Sequence, residues 1–238
     1  MIIILICQGR WGKIFVFVAS VAIFGAFAGW IHRIVKMRSF SIIQVGFIDV
    51  NCYLVPSEAD SCLYIIDPGS EPEKILKEFS KAEYKDYRIL LTHAHVDHIG
   101  AIPELMKKLP VSKLYLHKDD IPLYRSPDNC LLPWIPRVNN LPEPSNEIGS
   151  CEFRIIHTPG HTRGAVCFLF DRLNALFSGD TIFQSSVGRT DLPGGSQASL
   201  MDSIRNRIFT LPESLEIFPG HGHSTTVGFE KENNPYVG

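Results

Sequence analysis

Short apolar runs, bounded by Gly, Pro, Asp or His, recur along the chain from residue 41 onward. Runs of four to eight apolar residues between such turn residues are typical of buried or half-buried strands, because helices need longer patterns with a period of 3.6. The predicted strands lie within residues 41–47, 51–57, 61–70, 87–93, 113–117, 152–161, 165–170, 174–183 and 215–222.

Three segments have helical spacing instead. Residues 71–79 combine apolar positions with mixed charge, and residues 102–109 carry Pro103 in the first turn, where proline is tolerated. Residues 196–209 form the third predicted helix. Many short strands with a few peripheral helices predict an α/β layered sandwich.

Residues 121–149 are rich in Pro and Asn and predict a long loop rather than a core element. Loops of this length are often functional lids or binding loops. Within the loop, Leu131, Leu132, Trp134 and Ile135 form an apolar cluster. Two interpretations stay open: the cluster lines a substrate pocket, or it pins the loop to the core.

The N-terminal region differs from the rest because residues 14–31 contain no charge. An uncharged apolar run of 18 residues is long enough to span a bilayer as a helix. Three interpretations stay open: a membrane anchor, a signal peptide cleaved near the Ala-Phe-Ala at residues 26–28, or an extension ahead of a start at Met37. We predict an apolar extension over residues 1–36 and a folded domain over residues 37–238.

Charge and cysteine content restrict the classes of function. The 238 residues include 23 Lys and Arg against 25 Asp and Glu, which gives a formal net charge of −2 at pH 7. Without a basic excess we expect no nucleic-acid partner, and the chain is long enough for one domain with a sizeable core. The six cysteines form no C-x-x-C pair, which predicts reduced thiols. We expect a cytoplasmic domain, tethered to a membrane by residues 14–31 if they are retained.

Three histidines and one aspartate lie within six residues, directly after an apolar run. Neutral imidazole and carboxylate are standard ligands for Zn²⁺ and similar metal ions. His93 and His95 alternate at the end of a strand and can point to the same side, whereas Asp97 and His98 follow where the chain turns. Four ligands in six residues cannot all be aimed at one point, so the cluster predicts two adjacent metal ions.

Three further candidate ligands end later predicted strands, each directly after a glycine. They are His161, Asp180 and His221. A glycine at such a position lets the backbone turn tightly and approach a metal closely. The repeated pattern predicts that these residues complete the two metal sites.

The segment THAHVDH at residues 92–98, the three later glycine–ligand pairs and Asp67 in IIDPG together resemble the metallo-β-lactamase superfamily. The resemblance extends from about Phe40 to the C-terminus and implies a four-layer αββα sandwich with the metals at one edge. The metal ligands that it implies are His93, His95 and His161 for the first ion, Asp97, His98 and His221 for the second, and Asp180 as the bridge. Asp67 would orient a ligand or its loop from behind.

Two later segments resemble a narrower group, the compact bacterial glyoxalase II-like hydrolases. They are GRTDLPGG at residues 188–195 and FPGHGHSTTVGFEKENNP at residues 218–235. The resemblance implies cleavage of small thioesters such as S-lactoylglutathione-type compounds by a metal-bridging hydroxide. The cofactors would be two divalent metal ions, zinc or else iron or manganese, and Asp97 and Asp180 would be the catalytic carboxylates. Within the first segment we expect Arg189 and Asp191 to form an ion pair.

The substrate and the reaction leave alternatives beside this hypothesis. Full-length glyoxalase II has a C-terminal helical region that holds glutathione, whereas this chain ends soon after His221. A persulfide dioxygenase with a single iron shares GRTD but usually lacks the later histidine. A lactonase or another ester hydrolase of the same fold is a further alternative, and a non-catalytic membrane-tethered module is the alternative from another class. For an enzyme, the expected partner is a small molecule.

Overall fold

The computed structural model describes residues 3–8, 14–19, 40–79, 84–130, 135 and 137–237. The chain divides into two units, residues 1–38 and residues 39–238. In the first unit, strands β1 (Ile3–Gln8) and β2 (Ile14–Ala19) pair in antiparallel orientation.

Strand β2 differs from the helix that the anchor interpretation expects over residues 14–31. The rest of that run, including residues 26–28, lies outside the described residues, as does Met37. Among the residues that are described, no helix has the length and apolar character needed to cross a membrane. The domain boundary after residue 36 stays a prediction.

The first sheet of the larger unit contains five strands in the order β3-β4-β5-β6-β7. Their bounds are β3 (Ser41–Val45), β4 (Val50–Ser57), β5 (Cys62–Ile66), β6 (Tyr87–Leu90) and β7 (Val111–Tyr115). Strands β3, β4 and β5 pair antiparallel, whereas β5, β6 and β7 pair parallel. Parallel neighbours need crossover connections. These contain helices α1 (Pro72–Phe79), α2 (Val96–Ile99) and α3 (Ile102–Lys108).

The prediction of a loop over residues 121–149 is wrong for its first residues. Helix α4 (Ile121–Arg125) and a 3-10 turn at Pro127–Asn129 occupy this part. Pro122 lies in the first turn of α4, where a fixed φ and a missing N–H suit the helix. The same proline that argued for a loop therefore favours the beginning of a helix.

The second sheet has the order β14-β13-β10-β9-β8. The later strands are β8 (Arg154–His157), β9 (Val166–Phe170), β10 (Ala175–Gly179), β11 (Ile182–Phe183), β12 (Ser186–Val187), β13 (Glu216–Pro219) and β14 (Thr225–Thr226). Strands β10 and β13 are parallel, and β11 and β12 form a separate hairpin. Helix α5 (Gln197–Ser203) continues as a π-helical turn over Ile204–Ile208, and α6 (Val227–Asn233) follows β14.

The apolar core has three layers. Between the two sheets, the buried side chains include Tyr53, Tyr64, Phe168, Phe170, Phe177 and Phe218. The outer face of the first sheet packs against α1 and α3 through Ile65, Ile89, Ile75 and Leu105. The outer face of the second sheet packs against the α5 region through Leu176, Ile217, Leu200 and Ile204. Helices cover both outer faces, so the predicted αββα sandwich is confirmed.

Candidate metal centre

The seven candidate ligands come from four segments, which follow β6, β8, β10 and β13. In the first segment His93 and His95 precede α2, which carries Asp97 and His98, and the later segments carry His161, Asp180 and His221 in turn. Because β10 and β13 are parallel neighbours, their ends bring the last two residues side by side. Six of the seven residues are buried, and the His221 side chain is 24% exposed.

The ligand atoms fall into three overlapping groups, each with its nitrogen and oxygen atoms within 4.8 Å of one another. The groups are His93, His95 and His161; His93, His98 and Asp180; and Asp97, His98 and His221. The first and third groups match the two sets implied by the family resemblance. Asp180 lies between them, with Oδ2 3.6 Å from Nε2 of both His161 and His221. All seven residues come together, and their role as metal ligands stays a prediction.

The residues at this centre fit a pair of divalent cations. Seven buried atoms have no hydrogen-bond partner of good geometry in the described part of the chain: Nε2 of His93 and His95, both ring nitrogens of His98, both carboxylate oxygens of Asp97, and Oδ1 of Asp180. A buried polar atom without a partner costs about 1–3 kcal/mol, and more if it is charged. Imidazole nitrogens and carboxylate oxygens are the donors that zinc, iron and manganese accept.

Two of the histidine rings are oriented by backbone carbonyls. His161 Nδ1 lies 2.8 Å from Arg189 O, and His221 Nδ1 lies 2.9 Å from Ile48 O. A ring that donates its Nδ1–H to a carbonyl keeps the lone pair of Nε2 free. The Nε2 atom of His221 lies 3.6 Å from Asp180 Oδ2. The Nε2 atom of His161 lies 2.8 Å from His95 Nδ1 and 3.6 Å from Asp180 Oδ2, so these tautomers suit ligation.

Asp67 supports the centre from behind. Its carboxylate accepts hydrogen bonds from Thr92 N at 2.8 Å and Thr92 Oγ1 at 2.6 Å, and Oδ2 lies 3.0 Å from His98 Nδ1. Thr92 Oγ1 in turn lies 3.0 Å from His93 Nδ1. Asp67 therefore orients one ring directly and a second ring through Thr92, in agreement with the supporting position expected from the sequence.

The surroundings of the histidines favour different protonation states. Burial lowers the pKa of His93 and His95 well below its usual range, so both rings are neutral. Burial also lowers the pKa of His98, but the Asp97 and Asp180 carboxylates outweigh this effect and raise it to about 10. In the cation-free chain, His98 therefore carries a proton at neutral pH. That proton must leave before the ring can bind a cation.

Asp120 is a supporting residue that the sequence analysis missed. The buried carboxylate accepts hydrogen bonds from Ala94 N at 3.0 Å, Thr162 Oγ1 at 2.8 Å and Gly164 N at 2.6 Å. It therefore joins the loop after β6 to the loop after β8. Its position directly before α4 is typical of a helix cap, but the side chain makes no capping bond.

Strand β4 supports the last candidate ligand, which the sequence analysis also missed. Asn51 Nδ2 donates to Pro219 O at 3.0 Å and to Gly222 O at 2.9 Å. Tyr53 OH donates to Pro219 O at 2.5 Å. The backbone on both sides of His221 is therefore fixed by the first sheet.

The glycines before the later candidate ligands serve two purposes. A Cβ at Gly220 would lie 2.2 Å from Asp180 Oδ1, and one at Gly179 (φ 49°) would lie 2.3 Å from Thr92 Oγ1. The backbone at both glycines therefore lies against the side chains of the centre, and its close approach to a metal ion stays a prediction. At Gly160 a Cβ would meet the backbone of α5 instead, so that glycine permits packing of the helix.

The loop at residues 188–195 also supports the centre. The predicted ion pair is confirmed: Arg189 Nε and Nη2 lie 2.8 and 2.7 Å from the two carboxylate oxygens of Asp191. The pair holds the loop whose Arg189 carbonyl faces His161.

A separate group of His117, Asp119 and His157 is a poor cation site. The two imidazole rings stack with centroids 4.1 Å apart and an interplanar angle of 19°. Stacked rings direct their in-plane lone pairs along parallel lines rather than toward one point. His157 Nε2 is also 2.9 Å from Arg163 O, so we expect no ion there.

Comparison with known proteins gives a family match. The sequence model of the metallo-β-lactamase superfamily matches residues 45–223, a range that contains all seven candidate ligands. Hydroxyacylglutathione hydrolase GloC of Haemophilus influenzae is 33% identical, and the match covers 84% of this chain and 98% of that protein.

Among the similar solved structures, two examples share more than 30% of their residues with this chain. The BLEG-1 B3 metallo-β-lactamase is 34% identical, covers 83% of this chain and 99% of its own, and has a TM-score of 0.74. TTHA1623 in a di-iron-bound form is 38% identical, with coverage of 82% and 99% and a TM-score of 0.72. The similarity therefore extends over nearly the whole length of both proteins.

Proposed function

This chain belongs to the metallo-β-lactamase superfamily, and we propose that within it the chain is a binuclear metallohydrolase that cleaves small thioesters. The observation that carries the proposal is the pair of buried ligand groups with Asp180 between them. The similarity to GloC, a hydroxyacylglutathione hydrolase by name, supports thioesters as the substrate class.

We propose that the cofactors are two divalent cations, zinc or else iron or manganese. The ligands would be His93, His95 and His161 for the first cation, Asp97, His98 and His221 for the second, and Asp180 for both. When bound, such a pair supplies Lewis acidity and a water molecule that ionises near neutral pH. The unpaired buried atoms at the centre support this assignment.

We assign Asp97 and Asp180 as the catalytic carboxylates because both lie among the imidazole nitrogens. Asp97 Oδ2 is 3.3 Å from His221 Nε2, and Asp180 Oδ1 is 3.5 Å from His98 Nε2. A carboxylate that holds a cation is a weak base. Their contribution is therefore to balance charge and fix the positions of the reacting groups rather than to abstract a proton.

The reaction forms a bond between the oxygen of water and the carbonyl carbon and breaks the carbon–sulfur bond. The proton lost by the water passes to the leaving thiolate, and the products are a carboxylic acid and a thiol. Because a thiol has a pKa of about 8.5, its thiolate leaves without a strong general acid. A thioester is therefore a suitable substrate for a centre built from imidazole and carboxylate groups.

The other functions considered for this sequence fit the centre less well. A dioxygenase with a single iron would use one group of ligands, and the group of Asp97, His98 and His221 would bind no cation. A non-catalytic module would have no use for polar atoms that are buried without partners. Lactones and other esters share the carbonyl chemistry, and they belong in the same assay as the thioesters.

The test is hydrolysis of S-D-lactoylglutathione and smaller thioesters by the metal-loaded full chain. We expect turnover with two cations per chain, and loss of turnover by about a thousandfold or more in His95→Ala, because the first cation loses a ligand. The matched control is His223→Ala, an exposed histidine outside the ligand groups. Two bound cations without hydrolysis of any thioester would contradict the proposed substrate class.

A further inference from the structure

A cavity of about 270 Å³ borders the candidate metal centre at Asp97. Its walls come from the turn between β3 and β4, the segment after β5, the beginning of α2, and the residues Ile135, Arg137 and Val138. Of the apolar cluster in the predicted loop, Ile135 lines this cavity, and Leu131, Leu132 and Trp134 lie outside the described residues. Of the seven candidate ligands, Asp97 is the one that lines this cavity, so the cavity adjoins the candidate metal centre on one side.

Apolar side chains form most of the cavity wall. Val50 and Val96 are buried at its base, and Val138 is partly buried. Phe47 stands at the tip of the β3–β4 turn with 88% of its surface exposed. This is the highest exposure among the large apolar side chains of the described residues. An apolar group that enters the cavity would cover part of this ring, which is favourable by about 25 cal/mol for each Å² buried.

The charged group at the cavity that has no partner among the described residues is positive. Arg137 is exposed at its wall, and its guanidinium makes no ion pair or hydrogen bond within the described ranges. The nearby Glu71 carboxylate is already engaged, since Oε2 accepts from Gly46 N at 2.9 Å and lies 3.6 Å from Lys74 Nζ. Asp97 belongs to the ligand group. An anion in the cavity would therefore find a guanidinium that has no partner among the described residues.

We propose that this cavity binds the non-reacting arm of the substrate, and that the arm is short, apolar and ends in a carboxylate that pairs with Arg137. The inference rests on the proposed hydrolysis at the adjoining centre. Guanidinium and carboxylate form two parallel hydrogen bonds, which gives specificity as well as affinity. The volume is slightly below the roughly 300–1,000 Å³ of sites for drug-sized ligands, so the arm is small.

The first experiment compares matched thioesters with the metal-loaded full chain. The probes are S-acetyl-3-mercaptopropionate and S-methyl monothiosuccinate, each beside its carboxamide. We expect at least one carboxylate to exceed its carboxamide in kcat/KM by roughly ten- to a hundredfold, mainly through KM, because a hydrogen bond between charged groups is formed. Arg137→Ala should remove this preference, because it lowers kcat/KM for the carboxylate far more than for the carboxamide.

Two variants control for other effects. Arg172→Ala also removes one positive charge, but Arg172 lies at the surface near Glu152 and does not line the cavity. It should keep the preference for the carboxylate. Phe47→Ala should raise KM for the carboxylate and the carboxamide alike. The inference would be overturned if each carboxylate and its carboxamide had equal kcat/KM in the wild type, or if the preference for the carboxylate survived in Arg137→Ala. Neither result would affect the hydrolase assignment.

A binding measurement separates this inference from the proposed function. The thioether 3-(methylthio)propionate cannot be hydrolysed, and its Kd reports on the cavity independently of turnover. We expect Arg137→Ala to weaken its binding roughly tenfold or more. If this loss occurs although no thioester is cleaved, the carboxylate site stands and the thioesterase proposal fails. If the wild type and Arg137→Ala bind the thioether equally, the carboxylate site is refuted.

Discussion

Two buried carboxylates, Asp67 and Asp120, hold the candidate ligand loops without belonging to the ligand groups. Asp67 contacts Thr92 and His98, whereas Asp120 accepts hydrogen bonds from three donors in two loops. Hydrogen bonds to an ionised acceptor are roughly twice as strong as neutral ones. The positions of the histidine rings are therefore set by residues that a cation would not touch.

Replacing Asp120 by Asn is expected to disturb the first group of ligands. Ala94 N–H and Gly164 N–H face different carboxylate oxygens, so an amide must turn its NH₂ toward one of these donors. We expect a loss of about 2–3 kcal/mol in the free energy of unfolding. We also expect cation affinity to fall about 10–100-fold, as for other residues that orient metal ligands. Urea unfolding and zinc titration measure the two effects.

The matched control for this change is Asp119→Asn, since the 3-10 turn Lys118–Asp120 contains both aspartates. Asp119 has a side chain that is 46% exposed, and it should be replaceable with little effect on either quantity. If Asp120→Asn binds two cations with wild-type affinity, Asp120 does not orient the ligands.

At the scale of single residues, the candidate metal ligands could be predicted from the sequence, whereas the residues that hydrogen-bond to the ligand loops could not. Metal binding restricts the residue types, so His93, His95 and their neighbours stand out in the sequence. Asp120 reaches Ala94 across 26 residues, and Asn51 reaches Pro219 across 168 residues. Their partners are backbone groups, which have no signature in the sequence.

The ends of β10 and β13 form one structural element of the centre. The two strands are parallel neighbours, and Gly220 N donates to Gly179 O at 2.9 Å. Each glycine is followed by a candidate ligand. The backbone bond therefore fixes the separation of Asp180 and His221, and any side chain at either glycine would enter the centre.

Replacing Gly220 by Ala is expected to disrupt the centre while leaving the fold intact. The added Cβ would lie 2.2 Å from Asp180 Oδ1 and 2.8 Å from His98 Cε1, so the carboxylate must move. Because a misplacement of about 1 Å costs about a hundredfold in rate, we expect kcat to fall about a hundredfold or more. Circular dichroism and metal content should accompany the rate measurement.

Gly149→Ala is the control for Gly220→Ala, because a Cβ at Gly149 would meet no atom within 4 Å among the described residues. That variant should keep full activity. Full activity in Gly220→Ala would mean that the position of Asp180 is not critical for the reaction.

Whether a strand could be predicted from the sequence depended on the length of the strand. Each of the nine predicted strands overlaps an observed strand, because runs of several apolar residues give a clear signal. The two-residue strands β12 and β14 were missed, since two residues show no period, whereas the predicted strand over residues 174–183 contains both β10 and β11. Helix α4 was missed because Pro122 was taken as a loop signal.

The whole larger unit is needed to assemble the centre, since each sheet contributes to it. The loop after β6 belongs to the first sheet, and the loops after β8, β10 and β13 belong to the second. Bound cations would therefore link the two sheets, and their removal would leave unpaired polar atoms between them. Cation binding and the stability of the fold should be coupled.

Metal removal is expected to destabilise the chain more at about pH 8 than at about pH 6. In the cation-free chain the pKa of His98 is about 10 against an ordinary 6.5, so its proton stabilises that state below 6.5 and is lost as pH rises through 10. A cation displaces this proton, and its affinity therefore rises with pH. At a hundredfold excess over Kd, binding adds about 2.7 kcal/mol, or about 5–10 °C in Tm.

Two measurements test this coupling. Thermal unfolding with and without a chelator should show a difference in Tm that grows with pH. Calorimetric zinc titration in two buffers of different protonation enthalpy should show release of about one proton or more per chain at neutral pH. A difference in Tm that does not change between about pH 6 and about pH 8, or binding without proton release, would contradict the raised pKa of His98.

The sequence by itself determined which residues could bind cations, where the strands end and which family the chain resembles. These properties depend on residue type and local spacing, which are visible along the chain. Tertiary structure alone decided that Asp120 and Asn51 support the loops, and that Phe47 and Arg137 line one cavity together with Asp97. Such contacts depend on how two sheets pack, and packing joins residues far apart in sequence through geometry rather than through a local pattern.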